Sequence, residues 1–172
     1  MSLEHLPVID EEGNKRWYKD GELHRDGDLP AIEYADGDKV WMRYGELHRD
    51  GDLPAKELSN STKVWYKNGM LHRDGDLPAF VSVHGAKAWY KDGVRHRDGD
   101  LHAIEYSDGK CWYRDGVLHR DNDLPAVVWS DGNKQWWFEG KVHRDGGKPA
   151  IERVNVNEDN EWYQHGIKLI HP

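Results

Sequence analysis

The run His24-Arg25-Asp26-Gly27-Asp28 sets an imidazole, a guanidinium and two carboxylates side by side. Residues of these types support three kinds of chemistry. A His-Arg-Asp triplet can supply a general base, as in the protein-kinase catalytic loop, but that loop needs Leu after Asp, a later Asn, a Gly-rich loop and a strand Lys. Here Gly27 follows the triplet and the other parts do not appear. Paired aspartates can bind a cation, which makes Asp26 and Asp28 candidate calcium ligands. Calcium takes about six to eight oxygens, however, and the spacing fits neither an EF-hand nor a calcium-binding nonapeptide repeat. The neighbouring Arg25 would also repel a cation. The third chemistry is structural. Arg25 can fork onto a carboxylate, with Asp26 or Asp28 of its own or the next copy in reach, and Asp before Gly can close an Asx-turn on the main chain.

Copy number decides between them. The triplet returns as His48-Arg49-Asp50, His72-Arg73-Asp74, His96-Arg97-Asp98, His119-Arg120-Asp121 and His143-Arg144-Asp145. Catalysis uses one asymmetric site, whereas near-equal copies describe a fold element. No catalytic residue, resident metal or cofactor is therefore expected, and the cluster is read as a structural repeat.

The elements that position it follow from the period. Trp17, Trp41, Trp65, Trp89, Trp112, Trp136 and Trp162 recur at steps of 24, 24, 24, 23, 24 and 26. Repeats at such a period build stacked arrays. The single array divides into repeats 6–28, 29–52, 53–76, 77–100, 101–123 and 124–147, with a partial copy or cap over 148–172. Asp20-Gly21, Asp92-Gly93 and Asp115-Gly116 separate two short runs, the mark of a two-residue β-hairpin. A second turn, Ala35-Asp36-Gly37-Asp38, recurs as Ser107-Asp108-Gly109 and Ser130-Asp131-Gly132. No run has a helical period. The expected fold is all-β, an elongated antiparallel sheet of hairpins, with a β-solenoid as the alternative. The hairpin sheet is favoured because its copies lie about 9–10 Å apart, which leaves room for aspartates between successive arginines.

Register assigns the faces. Across Tyr44-Gly45, Arg43 should face Glu46, Met42 Leu47 and Trp41 His48. Across the other turn, Tyr34 should face Lys39 and Ile32 should lie opposite Trp41. Ile32, Tyr34, Trp41 and His48 would then share one face, and Val40, Met42 and Leu47 the other. The tryptophans are read as the core, because nine Trp and eight Tyr in a chain with 37% hydrophobic residues must replace an aliphatic one.

The net charge of −8 opposes non-specific binding to nucleic acid or anionic membranes. No run is long and apolar enough to span a bilayer, and the opening residues do not resemble a signal peptide. One cysteine, Cys111, stands where Val40, Val64 and Ala88 stand in other copies. It reads as a small buried side chain in a protein of a reducing, cytoplasmic compartment. The copies that break pattern are where partner specificity is sought: Phe80, Val83 and His84, Lys56–Asn60, His102 in the place of Pro, and Trp129 and Trp137. Unpaired sheet edges leave homo-oligomers open.

The segments WYKDGELHRD and AIEYADGDKVW resemble MORN repeats. Those share a length of about 23 residues, an aromatic strand, a DG turn and a Gly-x-x-His step, seen here from Gly21 to His24 and from Gly45 to His48. In place of the second Gly that MORN repeats carry after that His, this chain has Arg-Asp-Gly-Asp-Leu-Pro. The variant looks like HRDGDLPA-type arrays of giant viruses and phages. The resemblance implies a non-enzymatic sheet serving as a scaffold for a protein partner, here a viral or phage accessory protein in the host cytoplasm. A protein that binds or sequesters a small ligand or calcium is the alternative.

Overall fold

The computed structural model describes residues 6–155 and 159–170. Every regular element among them is a β-strand, mostly two residues long. The chain divides into two compact units, residues 1–85 with 91–93 and residues 86–90 with 94–172.

In the first unit seven ladder strands pair antiparallel in chain order: Val8–Ile9, Lys15–Arg16, Ile32–Glu33, Lys39–Val40, Lys56–Glu57, Lys63–Val64 and Phe80–Val81. Six more follow in the second: Lys87–Ala88, Ile104–Glu105, Gly109–Cys111, Val127–Trp129, Lys134–Gln135 and Ile151–Glu152. In neither unit does the last strand return to pair with the first. Each repeat thus contributes an antiparallel strand pair to a hairpin sheet. A solenoid would instead stack equivalent strands in parallel. Opposite charges alternate along one face of the ladder, Lys15–Glu33–Lys39–Glu57–Lys63, a favourable cross-strand order. The other row runs Arg16–Ile32–Val40–Lys56–Val64–Phe80 in the first unit. In the second it runs Ala88–Ile104–Cys111–Val127–Gln135–Ile151. Cys111 is buried there, and burial pushes its thiol above its usual range.

After each ladder the chain turns a corner at Trp and enters a separate two-stranded hairpin. Trp41 donates its N–H to the carbonyl of Ala55 (2.8 Å) and accepts from the N–H of His48 (3.2 Å). The hairpin register is the expected one: Met42 faces Leu47 and Arg43 faces Glu46. Tyr44 and Gly45 both have positive φ, 47° and 78°, as a type I′ turn demands.

The register expected across the second turn is off by one residue. Ile32 faces Val40 and Glu33 faces Lys39. Tyr34 donates its N–H to the carbonyl of Asp38, so the loop holds three residues, with Gly37 at φ 98° and the Asp36 carboxylate accepting from the N–H of Asp38. Asp38 is thereby drawn into the pairing. Ile32 and Val40 share a buried face, and because the ladder ends at Trp41, no single face carries Ile32, Tyr34, Trp41 and His48 together. The 23-residue step has its cause here too. Tyr106 donates to Gly109, closing a tighter turn over Ser107-Asp108, and a Cβ on Gly109 would collide with the Trp129 ring.

The core is thin. Trp17, Trp41, Trp65, Trp89 and Trp136 are buried, and Trp112 and Trp162 are half-buried. Beside them Ala31, Ala55, Ala79, Ala103, Ala126 and Ala150 are fully excluded from solvent. The alanine of Leu-Pro-Ala is the most enclosed position of the repeat, where only a methyl group fits.

Candidate interaction surface and the repeated polar joint

The Trp corner fixes where the polar cluster lies. Each arginine stacks on the tryptophan of its own repeat, with Arg25, Arg49, Arg73, Arg97, Arg120 and Arg144 at 3.7–4.0 Å from the ring centroids of Trp17, Trp41, Trp65, Trp89, Trp112 and Trp136. Held flat on an indole, the guanidinium can use only its edges. One edge reaches forward into the start of the next repeat: Arg49 Nη1 donates to the carbonyl of Pro54 and to Glu57. The other edge reaches back one repeat. Arg49 Nε and Nη2 fork onto the Asp28 carboxylate at 2.7 and 3.0 Å. Arg73 does the same to Asp52, Arg120 to Asp100 and Arg144 to Asp123. These bonds hold the carboxyls of Asp28, Asp52 and Asp123 below the usual range. The tryptophan ties itself to the same residue, since Trp41 Nε1 donates to the carbonyl of Asp28 at 3.1 Å, with equivalents at Trp65, Trp112 and Trp136.

The histidine completes the joint on the hairpin side. His24 Nδ1 accepts the N–H of Tyr44 from the next repeat, which assigns the ring proton to Nε2; that nitrogen donates to Asp26 at 2.9 Å. The same pair of contacts recurs at His48, His72, His96 and His119. His143 likewise accepts from His165, with Asp145 at 3.4 Å. His24 and Lys19 together lower the Asp26 carboxyl.

The two aspartates of each loop therefore part company. Asp26 serves its own histidine and Lys19, whereas Asp28 serves the arginine of the next repeat. The arginine thus takes neither aspartate of its own copy and none from the following copy; it takes the second aspartate of the preceding one. The Asx-turn expected in this loop occurs instead in the other turn, at Asp36, Asn60 and Asp131. Among the described residues no three His, Cys, Asp or Glu side chains converge as a metal site.

The pattern-breaking residues fall into two groups. His102 is built into the fold: its rings of contact are Trp89 and Trp112, its Nε2 meets Glu105 at 3.1 Å, and its carbonyl takes the bond from Arg97 that prolines take elsewhere. Trp137 donates to Gln135, and Trp129 stacks on Tyr106. Phe80 is half-buried, while His84 and Val83 face solvent. Arg95, which no motif singles out, fills a position held elsewhere by Leu or Val and lies over the rings of Tyr90 and Tyr113.

Two further features carry no signal in the motif. A second link joins repeats through the ladder turns: Asn14, Asp38, Thr62 and Asn133 accept from the N–H groups of Ala35, Ser59, Val83 and Val154. And the leucine that follows each polar loop stays exposed, at 47, 41 and 41% for Leu29, Leu53 and Leu77 and at 42 and 38% for Leu101 and Leu124. Between successive joints lie open grooves, one of about 500 Å³ lined by Leu29, Met42, Tyr44 and Leu53. No helix among the described residues is long and apolar enough to cross a membrane. No protein-family model matches the chain, and no curated protein matches it.

Proposed function

We propose that the chain is a non-enzymatic scaffold that presents the same strip of surface, once per repeat, to a protein partner. One observation carries this reading. The groups that could do chemistry are spent on one another inside the joints, while the adjoining leucine, an apolar side chain that folding would be expected to hide, is left in water in five repeats. An exposed apolar side chain repeated at a fixed position, next to exposed Asp26, Asp50 and Asp74, makes a binding surface of mixed apolar and acidic character. Its acidity favours a partner with basic groups over nucleic acid. On this reading the chain is a MORN-like repeat protein, acting as a viral or phage accessory factor in the host cytoplasm; the lone cysteine and the motif likeness support that setting.

The test replaces Leu29, Leu53 and Leu77 together by Ser. Immobilised wild-type protein should retain a partner from host lysate that the triple variant loses, with unchanged circular dichroism. Retention by both forms, or turnover of a substrate that one His-Arg pair alone controls, would overturn the reading.

A further inference from the structure

We propose that the second unit carries a binding site for a carboxylate borne on an apolar body, centred on Arg95. The residue stands where Leu23, Leu47, Leu71, Leu118 and Val142 stand in the other hairpins, so the fold at this place asks only for an apolar side chain. Here it receives a guanidinium, half-buried, whose Nε is enclosed and bonds nothing. Nη2 donates to the phenol oxygen of Tyr90 at 3.0 Å, and the Tyr90 and Tyr113 ring centroids lie 5.5 and 4.7 Å from the guanidinium carbon.

What this cation lacks is a counter-charge. Arg49, Arg114 and Arg153 each hold a carboxylate. Arg95 has no ion pair among the described residues, and the two repeats around it, 77–100 and 101–123, are described throughout. Burial opposes its charge, and the phenols of Tyr90 and Tyr113 more than restore it, so the group stays protonated. A neutral phenol offers a lone pair but no negative charge. A partly desolvated cation held this way favours an incoming anion.

The surroundings select that anion. The Tyr90 oxygen accepts from Nη2, which leaves its own proton for a further acceptor. With Nε enclosed, a ligand meets the terminal nitrogens and the phenols, donors enough for the two oxygens of a carboxylate. One guanidinium balances one negative charge, and a chain of net charge −8 repels a phosphate dianion more than a monoanion. Burial raises the Tyr106 phenol and the Cys111 thiol, and the Arg95 charge opposes it at both, so the cation acts across to the ladder. Tyr106 is 43% exposed and stacks on Trp129, which sets an open aromatic surface on that side for the apolar body. The site uses none of the exposed leucines and is independent of the scaffold reading.

The probe is benzoate, titrated into the full-length protein at constant ionic strength while the Arg95 Nε–H and Tyr113 amide resonances are followed. Both should shift saturably. Arg95→Leu restores the side chain of the other copies and should lower the affinity about tenfold or more, read on the Tyr113 amide. Benzamide, the same ring without the charge, should bind wild-type protein about tenfold more weakly or worse, which keeps the test independent of any variant. Acetyl-glutamate-amide presents the carboxylate as a protein would. Tighter binding of benzoate assigns the site to a free organic acid, and equal or tighter binding of the glutamate assigns it to an acidic side chain of a partner. The proposal is overturned by the absence of a saturable shift with either carboxylate, by equal affinities of wild type and Arg95→Leu or of benzoate and benzamide, or by tighter binding of phenyl phosphate than of benzoate.

Discussion

Arginine is the residue on which each joint turns, because it is used on three sides at once. Its plane lies on Trp41, one edge holds Pro54 and Glu57, and the other holds Asp28 of the preceding repeat. Lysine could satisfy one of these but not all three. Bonds to charged groups contribute roughly 1.5–3 kcal/mol when shielded, and partial exposure of Asp28 lowers that figure. Arg49→Gln should therefore cost about 1–2 kcal/mol in urea unfolding. Arg25→Gln, which gives up no fork among the described residues, should cost less than about 1 kcal/mol. Equal losses at the two positions would mean that the fork adds nothing. The sequence alone made the cluster legible as structural, through its copy number. It could not say which aspartate the arginine takes, since Asp26 and Asp28 are chemically alike and differ only in the direction the loop points them. The buried alanines were missed for a related reason: a methyl group carries no pattern, and its burial shows only once a tryptophan and a neighbouring strand close over it.

Among the elements, the hairpins were readable and the ladders were not. Asp-Gly at 20–21, 92–93 and 115–116 dictates a two-residue I′ turn, and Tyr44-Gly45 in the same place closes the same turn, which fixes Met42 opposite Leu47 with no freedom left. Ala-Asp-Gly-Asp can close over three or four residues, and the choice depends on whether Asp38 joins the strand. It does, helped by its carboxylate accepting from Ser59 of the next repeat, a contact beyond the reach of local turn rules. A one-residue slip then moves every side chain of the ladder to the other face. The hairpin turns also show where the fold is under strain. Glu139 holds φ 48° with no glycine-like freedom and donates only its main-chain N–H to His119. Asn tolerates that conformation better. Glu139→Asn should raise stability by about 0.5–1 kcal/mol, measured as a higher urea midpoint at unchanged slope; a lower midpoint would show that the glutamate side chain makes a contact worth more than the strain.

For the molecule as a whole, stability rests on contacts between neighbours and much of it on ionised carboxylates. Asp28, Asp52 and Asp123 bridge repeats with lowered pKa, and Asp10 and Glu161, gripped by Arg16 and by Lys168 with Arg153, fall to about 2. A carboxyl lowered in the folded state stabilises at every pH above its unfolded value near 3.9, and that contribution disappears as pH falls through the folded value. The melting temperature should thus hold nearly level from pH 7 to about 5 and drop steeply between about pH 4 and 2. A steep loss already between pH 7 and 5 would point to groups other than these carboxylates.

The repeated His-Arg-Asp-Gly-Asp run is a joint between neighbours and not a site within one copy. A double-mutant cycle on Arg73→Gln and Asp52→Asn measures that claim directly, with Arg73→Gln and Asp74→Asn as the internal control. The structure predicts a coupling of about 1 kcal/mol or more across the repeat boundary and close to none within the repeat. Coupling confined to Arg73 and Asp74, with none to Asp52, would contradict it.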